Sequence, residues 1–292
     1  MKKKSLMWQI VLIAFFAIMC FMIVFPFLLL VSISLSNEGD ISAYGYSILP
    51  KTVDFAAYKF VFMNPKSILN AYKTTGIFSV VSMVLGVLLM AMIAYPLSRR
   101  KLRGRSFLSF FLYFTMLFSG GLVPTYILIT KYLHLADSIW VYILPALISP
   151  WNVFMIRTSF QNIPEEIIES AHVDGAEEYT IFFRMILPLS KPILATIALF
   201  VFLNKWNDWN TSMLYINKPE LYSLQYLLQK IMKDIQLLQD SMTADMLQQI
   251  VEIPGETARM AMAVVVAGPA LVVFPFFQKY FVKGITVGSV KG

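Results

Sequence analysis

The sequence predicts an all-α integral membrane protein with six transmembrane helices, and two observations favour this fold class. Of the 292 residues, 58% are hydrophobic and 14% are charged, whereas a soluble domain has about 45–50% and about 25% of these classes. One soluble core cannot bury this apolar excess, so the bilayer is the expected solvent. Six segments also supply the run of about 20 predominantly apolar residues that a helix needs to cross a bilayer.

The predicted spans form one transmembrane domain that covers residues 1–292. They are 8–34, 74–98, 106–130, 138–158, 188–206 and 260–281. The first span resembles a signal peptide at its basic start, but its charge-free run from Ser5 to Asn37 far exceeds the roughly 7–15-residue apolar core of such peptides. An uncleaved first span is therefore expected. In the fifth span, Lys191 and Lys205 stand near the two ends, where long side chains can extend to the interfaces.

The basic residues predict the orientation of the spans. They are Arg99, Arg100, Lys101, Arg103 and Arg105 between spans two and three, Lys2 to Lys4 before the first span, and Lys279, Lys283 and Lys291 after the last. Six spans put all three groups on one side, and an excess of Lys and Arg marks that side as cytoplasmic. Both termini are then cytoplasmic, and the segments 37–72, 131–137 and 207–258 are extracellular. The net charge of +7 is attributed to these flanking residues rather than to nucleic-acid binding.

Catalytic and metal-binding patterns are missing from the sequence. The Walker A pattern, Gly-x4-Gly-Lys-Ser/Thr, is absent, and the two histidines, His134 and His172, are predicted on opposite sides of the membrane. No span has an ionisable residue near its middle, where ion-coupled carriers usually have one. These absences argue against an enzyme and weaken the case for an ion-coupled carrier or channel.

One predicted cytoplasmic loop, residues 162–188, is acidic rather than basic. Pro164 suits the first turn of a helix and Glu165 suits its positive N-terminal end. Asp174 and Gly175 predict a turn, because glycine adopts the left-handed conformation that ends helices. A second short helix follows, and Pro188 is expected to start span five. Such a helix-turn-helix either lies on the protein's own surface or docks a cytosolic partner.

The same loop carries a motif with fixed spacing. Glu169, Ser170 and Ala171 are followed after three residues by Gly175, and nine residues later by Met185-Ile-Leu-Pro188. This resembles the cytoplasmic motif Glu-Ala-Ala-x3-Gly-x9-Ile-x-Leu-Pro of permease subunits of bacterial ABC importers, with Ser170 and Met185 as mild departures. Within the family, the Asp-Gly-Ala at 174–176 is typical of the carbohydrate branch.

Three further segments extend the resemblance over the whole chain. Residues 281–292 are similar to the C-terminus of the smaller maltose-type permease. The segments 118–125 and 206–209 resemble a subgroup named for transport of aldouronates, alginate and other complex oligosaccharides. By these likenesses the chain is identified as a member of the carbohydrate branch of ABC importer permeases.

The resemblance implies a function, a set of partners and a location. The function is uptake of oligosaccharides by alternating access. The partners are a second homologous permease, two ATP-binding-cassette ATPase subunits and an extracellular solute-binding lipoprotein, all at a prokaryotic plasma membrane. The chain itself then needs no cofactor or metal, because ATP and magnesium belong to the ATPase subunits. The residues expected to couple to the ATPase are Glu169, Ser170, Ala171, Asp174, Gly175, Ala176, Leu187 and Pro188.

Candidate residues for the substrate path each have a competing interpretation. They are Trp206, Asn207, Asp208, Trp209 and Asn210 at the outer end of span five, Asn152 in span four, and Ser119, Gly120 and Gly121 in span three. The tryptophans stack on sugar rings or form an interfacial aromatic belt. Asn152 contributes to the path or holds helices together. The 119–121 segment opens the helix backbone or permits close packing, and packing is favoured for each residue alone.

Two questions stay open at the level of the sequence. Residues 219–250 have amphipathic helical spacing, which suits either docking of the binding protein or folding back on the permease. The solute is also undecided, because the motif at 169–188 is compatible with an ABC permease for a peptide or polyamine. Only the resemblance at 118–125 and 206–209 favours a sugar.

Overall fold

The computed structural model describes residues 2–241 and 255–288, and their side chains over 8–237 and 255–278. Over these residues the regular structure is helical, with an isolated bridge between Ser36 and Val53, so the all-α prediction is confirmed. The chain divides into two compact units, residues 1–66 with 228–269, and residues 67–227 with 270–292. The prediction of a single domain over 1–292 stays a prediction.

The helices are numbered in chain order. They are α1 (Lys2–Ser34), α2 (Glu38–Tyr44), α3 (Ala56–Val61), α4 (Pro65–Ser98), α5 (Arg105–Leu117), α6 (Leu122–Ile127, continued by a π-helical turn Leu128–Tyr132), α7 (Trp140–Ile143), α8 (Pro150–Gln161), α9 (Glu165–Val173), α10 (Glu178–Ile181, continued by a π-helical turn Phe182–Ile186), α11 (Leu187–Leu189), α12 (Lys191–Trp206), α13 (Asn210–Tyr215), a 3-10 turn Pro219–Leu221, α14 (Leu224–Ser241) and α15 (Glu256–Gly288).

Three helices among the described residues are long and apolar enough to cross a bilayer without interruption. They are Trp8–Ser34 within α1, Pro65–Ser98, and Glu256–Gln278 within α15, which correspond to predicted spans one, two and six. Two further candidates are bent pairs. Arg105–Leu117 and Leu122–Tyr132 meet at 108°, and Glu178–Leu189 and Lys191–Trp206 meet at 80°. By length and composition the described residues therefore supply three to five spans.

Predicted spans four and five differ from the helices in the structure. Over 138–158 the structure has the short helix α7 and then α8, which starts only at Pro150. Ser149 is extended at φ −103° and ψ 115°, as expected for a residue before proline, and this interrupts the helix. In predicted span five the straight helix begins at Lys191, after a bend at Ser190 (φ −99°, ψ 13°).

Residues 67–227 contain two apolar clusters. In one, α4 and α8 pack with α9, α10 and α12 through side chains that are almost fully enclosed. These include Met90, Phe160, Ile181, Ile186 and Ile197. In the other cluster the Phe78 and Tyr142 rings stack with centroids 4.3 Å apart. The first cluster holds the acidic loop against the helices, and the second holds the segment that contains α13.

A long-range cap organises the unit of residues 1–66 and 228–269. The Glu38 carboxylate accepts hydrogen bonds from the backbone N–H groups of Glu256 and Thr257, each at 2.9 Å, and from the Thr257 hydroxyl at 2.5 Å. The first backbone N–H groups of a helix have no partner within the helix, and an anion there interacts favourably with the helix dipole. Glu38 therefore fixes the start of α15.

Candidate coupling segment and substrate path

The acidic loop 162–188, called the coupling segment below, is built on an amphipathic helix. Pro164 precedes α9 in an extended conformation (φ −54°, ψ 134°), and Glu165 and Glu166 occupy the first turn. Ile168 and Ala171 are 4% and 7% exposed, and they pack in the first apolar cluster. One face of α9 is therefore fixed to the protein's own helices, while the acidic face is open to solvent.

The turn predicted at Asp174 and Gly175 is confirmed in detail. Gly175 has φ +79°. Its N–H donates to the His172 carbonyl at 3.0 Å, and the Ala176 N–H donates to the Ala171 carbonyl at 2.9 Å. This pair of bonds is a Schellman motif, in which the left-handed residue satisfies the last carbonyls of a helix. The motif sets the direction in which the chain leaves α9.

The second helix of the coupling segment is attached through Glu178. The Tyr95 hydroxyl donates to one Glu178 oxygen at 2.5 Å, and a His172 ring nitrogen lies 3.2 Å from the other. Phe182 is 4% exposed and its ring lies 5.3 Å from that of Tyr95. Tyr179, by contrast, is 72% exposed. The hydrogen bond from Tyr95 and the packing of Phe182 thus fix this helix to α4, while Tyr179 stays exposed.

The motif residues lie on both the buried face and the exposed face of the coupling segment. Glu169 is exposed and pairs with Lys101 at 3.5 Å. The Ser170 hydroxyl donates to the Ile167 carbonyl at 3.0 Å. Leu187 is half-buried against the first cluster, and Pro188 is exposed in α11. Both interpretations of the loop therefore find support, since its buried face packs on the chain and its exposed face is available to a partner.

The residues at 206–210 do not form one exposed surface. Trp206 is 5% exposed and its ring is stacked on Phe202, with centroids 5.7 Å apart. Asp208 accepts from the backbone N–H and the hydroxyl of Thr211, at 3.0 and 2.6 Å, and so caps α13. Trp209 is 37% exposed. The structure thus makes Trp206 a core side chain rather than part of an interfacial belt.

The two asparagines beside these tryptophans differ in their contacts. The Asn207 side chain donates to the Leu203 carbonyl at 2.9 Å and accepts from the Gln225 amide at 3.0 Å. Asn210 is exposed at the start of α13. Asn152 is half-buried in the first turn of α8, after the break in predicted span four. Within 206–210, Trp209 and Asn210 are exposed, as is Asn207, whereas Trp206 is buried.

The 119–121 segment interrupts span three. Gly121 has φ +83° and ψ −179°, all three residues are exposed, and the chain turns by 108° between α5 and the helix that follows. A Cβ atom on Gly120 would lie 3.7 Å from that of Pro124, an ordinary contact distance. Within the described residues the segment interrupts the helix backbone, and the choice between a role in the path and close packing stays a prediction.

One cavity was not anticipated from the sequence. In the unit of residues 1–66 and 228–269, a space of 340 Å³ lies between α2 and the loop after it, beside Asp40, Tyr44, Tyr46 and Lys51. Both tyrosine rings are more than half exposed, and the Lys51 ammonium lies 3.0 Å from the centre of the Tyr44 ring. The cluster of tyrosines, Tyr44 and Tyr46, around Gly45 is the signal that would have indicated it.

No group of His, Cys, Asp and Glu side chains suited to a metal ion occurs in the part of the chain that the structure describes. Outside the membrane, the pKa of the Asp137 carboxyl is held below its ordinary range by hydrogen bonds from the backbone N–H groups of Asn217 and Lys218. These bonds, at 2.5 and 3.1 Å, join the short loop 131–137 to the segment after α13.

Comparison with known proteins gives concordant matches. Residues 83–287 match the family described as binding-protein-dependent transport system inner membrane component. The chain is 39% identical to Protein LplC of Bacillus subtilis (strain 168) over 271 residues, which are 92% of this chain and 90% of that protein. It is 38% identical over 294 residues to the polygalacturonan/rhamnogalacturonan transport system permease protein YtcP of the same strain. This match covers 99% of this chain and 100% of that protein.

A solved structure is also similar. It is described as the crystal structure of a bacterial ABC transporter involved in the import of the acidic polysaccharide alginate. The TM-score is 0.80 at 28% sequence identity, over 95% of this chain and 98% of that chain.

Proposed function

The chain belongs to the family of binding-protein-dependent transport system inner membrane components, and on this premise we propose that it is a sugar-carrying permease subunit of an ATP-binding-cassette importer. It is a multi-pass protein of the bacterial plasma membrane. One relative is named for polygalacturonan and rhamnogalacturonan, and the similar structure for alginate. An oligosaccharide substrate agrees with these names, whereas a peptide or polyamine has no support among them.

The two-faced coupling segment is the observation that carries this function. Its inner face is fixed to α4 and α8 by Ile168 and Ile181, 4% and 0% exposed, so a push on its outer face is transmitted to those helices. A partner can shift a permease between two states only through contacts that differ between the states. Glu169 and the Gly175 turn stand where such contacts would form, and a partner ATPase is the proposed source of the push.

The remaining partners follow from the same proposal. Because the chain has no Walker A pattern, hydrolysis of ATP is assigned to two ATPase subunits, which also bind ATP and magnesium. A second homologous permease completes the pathway, and an extracellular lipoprotein delivers the sugar. Of the predicted path residues, exposed Trp209 and Asn210 are the proposed sugar contacts, because sugars stack on aromatic faces and hydrogen-bond to amides.

Six spans with cytoplasmic termini are the proposed topology, and contacts at the two ends of α4 support it. Near the start of this helix, the Thr75 hydroxyl accepts from the Leu224 N–H at 2.9 Å, in a predicted extracellular segment. Beyond its other end, Lys101 pairs with Glu169. The residues from Asp137, which is bonded to Asn217, to Pro164 run between the same two ends, and this supports a crossing in spite of the break at Ser149.

Protease protection tests this topology. A short tag inserted after Gly292 is expected to resist protease added outside intact cells, because the proposed C-terminus is cytoplasmic. A tag between Asn217 and Lys218 should be cut under the same conditions. Cleavage of the C-terminal tag in sealed cells would overturn the orientation, and with it the assignment of the coupling segment to a cytosolic ATPase.

Uptake by the reconstituted importer tests the sugar contacts, with the two tryptophans as a matched pair. Trp209→Ala is expected to lower oligosaccharide uptake per assembled complex up to about tenfold, since one stacking contact contributes about 0.5–1.5 kcal/mol beyond its buried area. Trp206→Ala should instead destabilise the permease by about 3–5 kcal/mol, the usual cost of removing a buried aromatic side chain. Thermal unfolding of both variants measures the second effect.

Two outcomes would count against these assignments. Unchanged uptake by Trp209→Ala removes this residue from the path and leaves the permease function standing. Failure of the unaltered complex to import any oligosaccharide, with a matched lipoprotein present, contradicts the proposed function itself.

A further inference from the structure

A polar cavity of 730 Å³ lies at one end of the helices of residues 67–227. It is enclosed by the end of α4, the start of α5, the end of α8 and the start of α9. Three arginines, Arg99, Arg100 and Arg105, line it. The ion pairs among the described side chains include none of these three guanidinium groups, so none of the three is paired directly with a carboxylate there.

Arg99 contacts an aromatic ring and also has unsatisfied buried donors. Its guanidinium lies over the Tyr95 ring, with the central carbon 4.8 Å from the ring centre. Its Nε and one terminal nitrogen are shielded from solvent and have no hydrogen-bond partner. Leaving a buried charged donor unsatisfied is costly, and such groups normally have a partner in a native protein. Arg105 donates its Nε to the Leu97 carbonyl at 2.9 Å, so it is oriented by the backbone.

Two carboxylates, Glu165 and Glu166, also line the cavity, and they restrict the anion that fits. Both are exposed in the first turn of α9, where the helix dipole stabilises their charge. They disfavour a free dianion that would enter past them from solvent. They can, however, accept hydrogen bonds from hydroxyl or ammonium groups. A singly charged phosphodiester whose substituent carries such donors matches both sets of charges.

The position of the cavity indicates where that phosphodiester comes from. Arg99 follows directly after the membrane-spanning candidate Pro65–Ser98, and Arg105 is the first residue of α5. Phospholipid headgroups lie at this depth, and basic pockets between transmembrane helices bind them. Arginine is suited to the task because its planar fork binds phosphate oxygens in pairs.

We propose that this cavity binds the phosphodiester headgroup of a membrane phospholipid, with Arg99 and Arg105 on the phosphate and Glu165 and Glu166 on headgroup donors. The bound lipid supplies a paired anion, which Arg99 lacks among the described side chains. It also links α4 and α5 to the start of the coupling segment, so that the lipid becomes part of the element that the ATPase moves. This role is independent of which sugar the permease carries.

Native mass spectrometry of the complete importer, released from nanodiscs, tests the site. In phosphatidylglycerol, the double variant Arg99→Gln with Arg105→Gln is expected to raise the lipid concentration for half-occupancy about tenfold, as for loss of a charge-assisted contact. Arg103→Gln is the matched control, because Arg103 is exposed in the same loop and does not line the cavity. It should leave occupancy unchanged.

Further measurements distinguish a phospholipid from free phosphate as the bound anion. Phosphatidylcholine, whose headgroup has no hydrogen-bond donors, should occupy the site more weakly than phosphatidylglycerol, and excess inorganic phosphate should not displace the lipid. Arg99→Lys retains the charge and should keep more lipid than Arg99→Gln, which guards against loss of folding as the explanation. Equal lipid retention by the double variant and Arg103→Gln would overturn the proposal. Displacement of the lipid by inorganic phosphate would also overturn it. So would lipid that binds the permease without its ATPase subunits but not the complete importer, because a carboxylate of the ATPase would then occupy the site.

Discussion

Two glycines with nearly the same φ angle, Gly175 at +79° and Gly121 at +83°, break the chain in two different settings. Gly175 ends α9 in an acidic, partly exposed segment, and its N–H and that of Ala176 return to the last carbonyls of the helix. Gly121 lies in a charge-free stretch between α5 and α6. The first break redirects a surface helix, whereas the second bends a candidate membrane span.

The backbone conformations at the two positions also differ in which residue types they tolerate. The Schellman motif at Gly175 requires the left-handed conformation, which asparagine also adopts. Gly121, with ψ at −179°, lies in a region that is almost restricted to glycine. A similar φ therefore does not mean a similar requirement, and substitution can separate the two cases.

The largest effect is expected at the turn of the coupling segment. Gly175→Val should leave the permease in the membrane and abolish oligosaccharide uptake, because a β-branched residue resists the left-handed conformation at a cost of roughly 1–2 kcal/mol and misdirects the second helix. Gly175→Asn is the control and should retain most uptake. Uptake and assembly with the ATPase are measured on the same preparations. Normal uptake by the valine variant at normal expression would contradict the coupling role.

Loss of stability rather than loss of uptake is expected at the break in span three, with a different pattern of tolerated residues. Here Gly121→Asn should be as damaging as Gly121→Ala, each costing about 1–3 kcal/mol, as for other strained backbone positions. Gly120→Ala is the adjacent control, since the added Cβ atom meets only Pro124 at 3.7 Å. Thermal unfolding in nanodiscs provides the comparison. If asparagine were tolerated at 121 as at 175, the two breaks would be equivalent and the distinction would fail.

The contrast explains which features the sequence predicts. The turn at Gly175 was predictable because the six acids of the segment, Asp174 among them, exclude it from the bilayer and because its geometry is local. Hydropathy detects the length of an apolar run but not its continuity, so the break before Pro150 was missed, and an opening near Gly121 was only the less favoured of two interpretations. Burial of Trp206 depends on Phe202 and on long-range packing, and sequence spacing does not distinguish a core tryptophan from an exposed one such as Trp209.

The smallest expected effect concerns an ion pair at the coupling segment. Among the described side chains, the break at Gly121 has no such pair beside it. The Lys101 ammonium lies 3.5 Å from a Glu169 oxygen, and both side chains are more than half exposed. Exposed pairs contribute only about 0.2–1 kcal/mol and weaken with salt. Lys101→Met should therefore change unfolding only slightly and leave uptake nearly intact.

Glu169→Gln separates anchoring from docking. If Glu169 serves mainly the pair with Lys101, the glutamine variant should match Lys101→Met in uptake, in ATPase affinity and in unfolding. If it contacts the ATPase as proposed, its uptake and its affinity for the ATPase should fall further than those of Lys101→Met, while unfolding stays the same. The double variant completes the cycle, because coupling energy within the chain appears as non-additivity in unfolding. Equal losses in both single variants would assign Glu169 to the internal pair and leave the Gly175 turn as the main determinant of coupling.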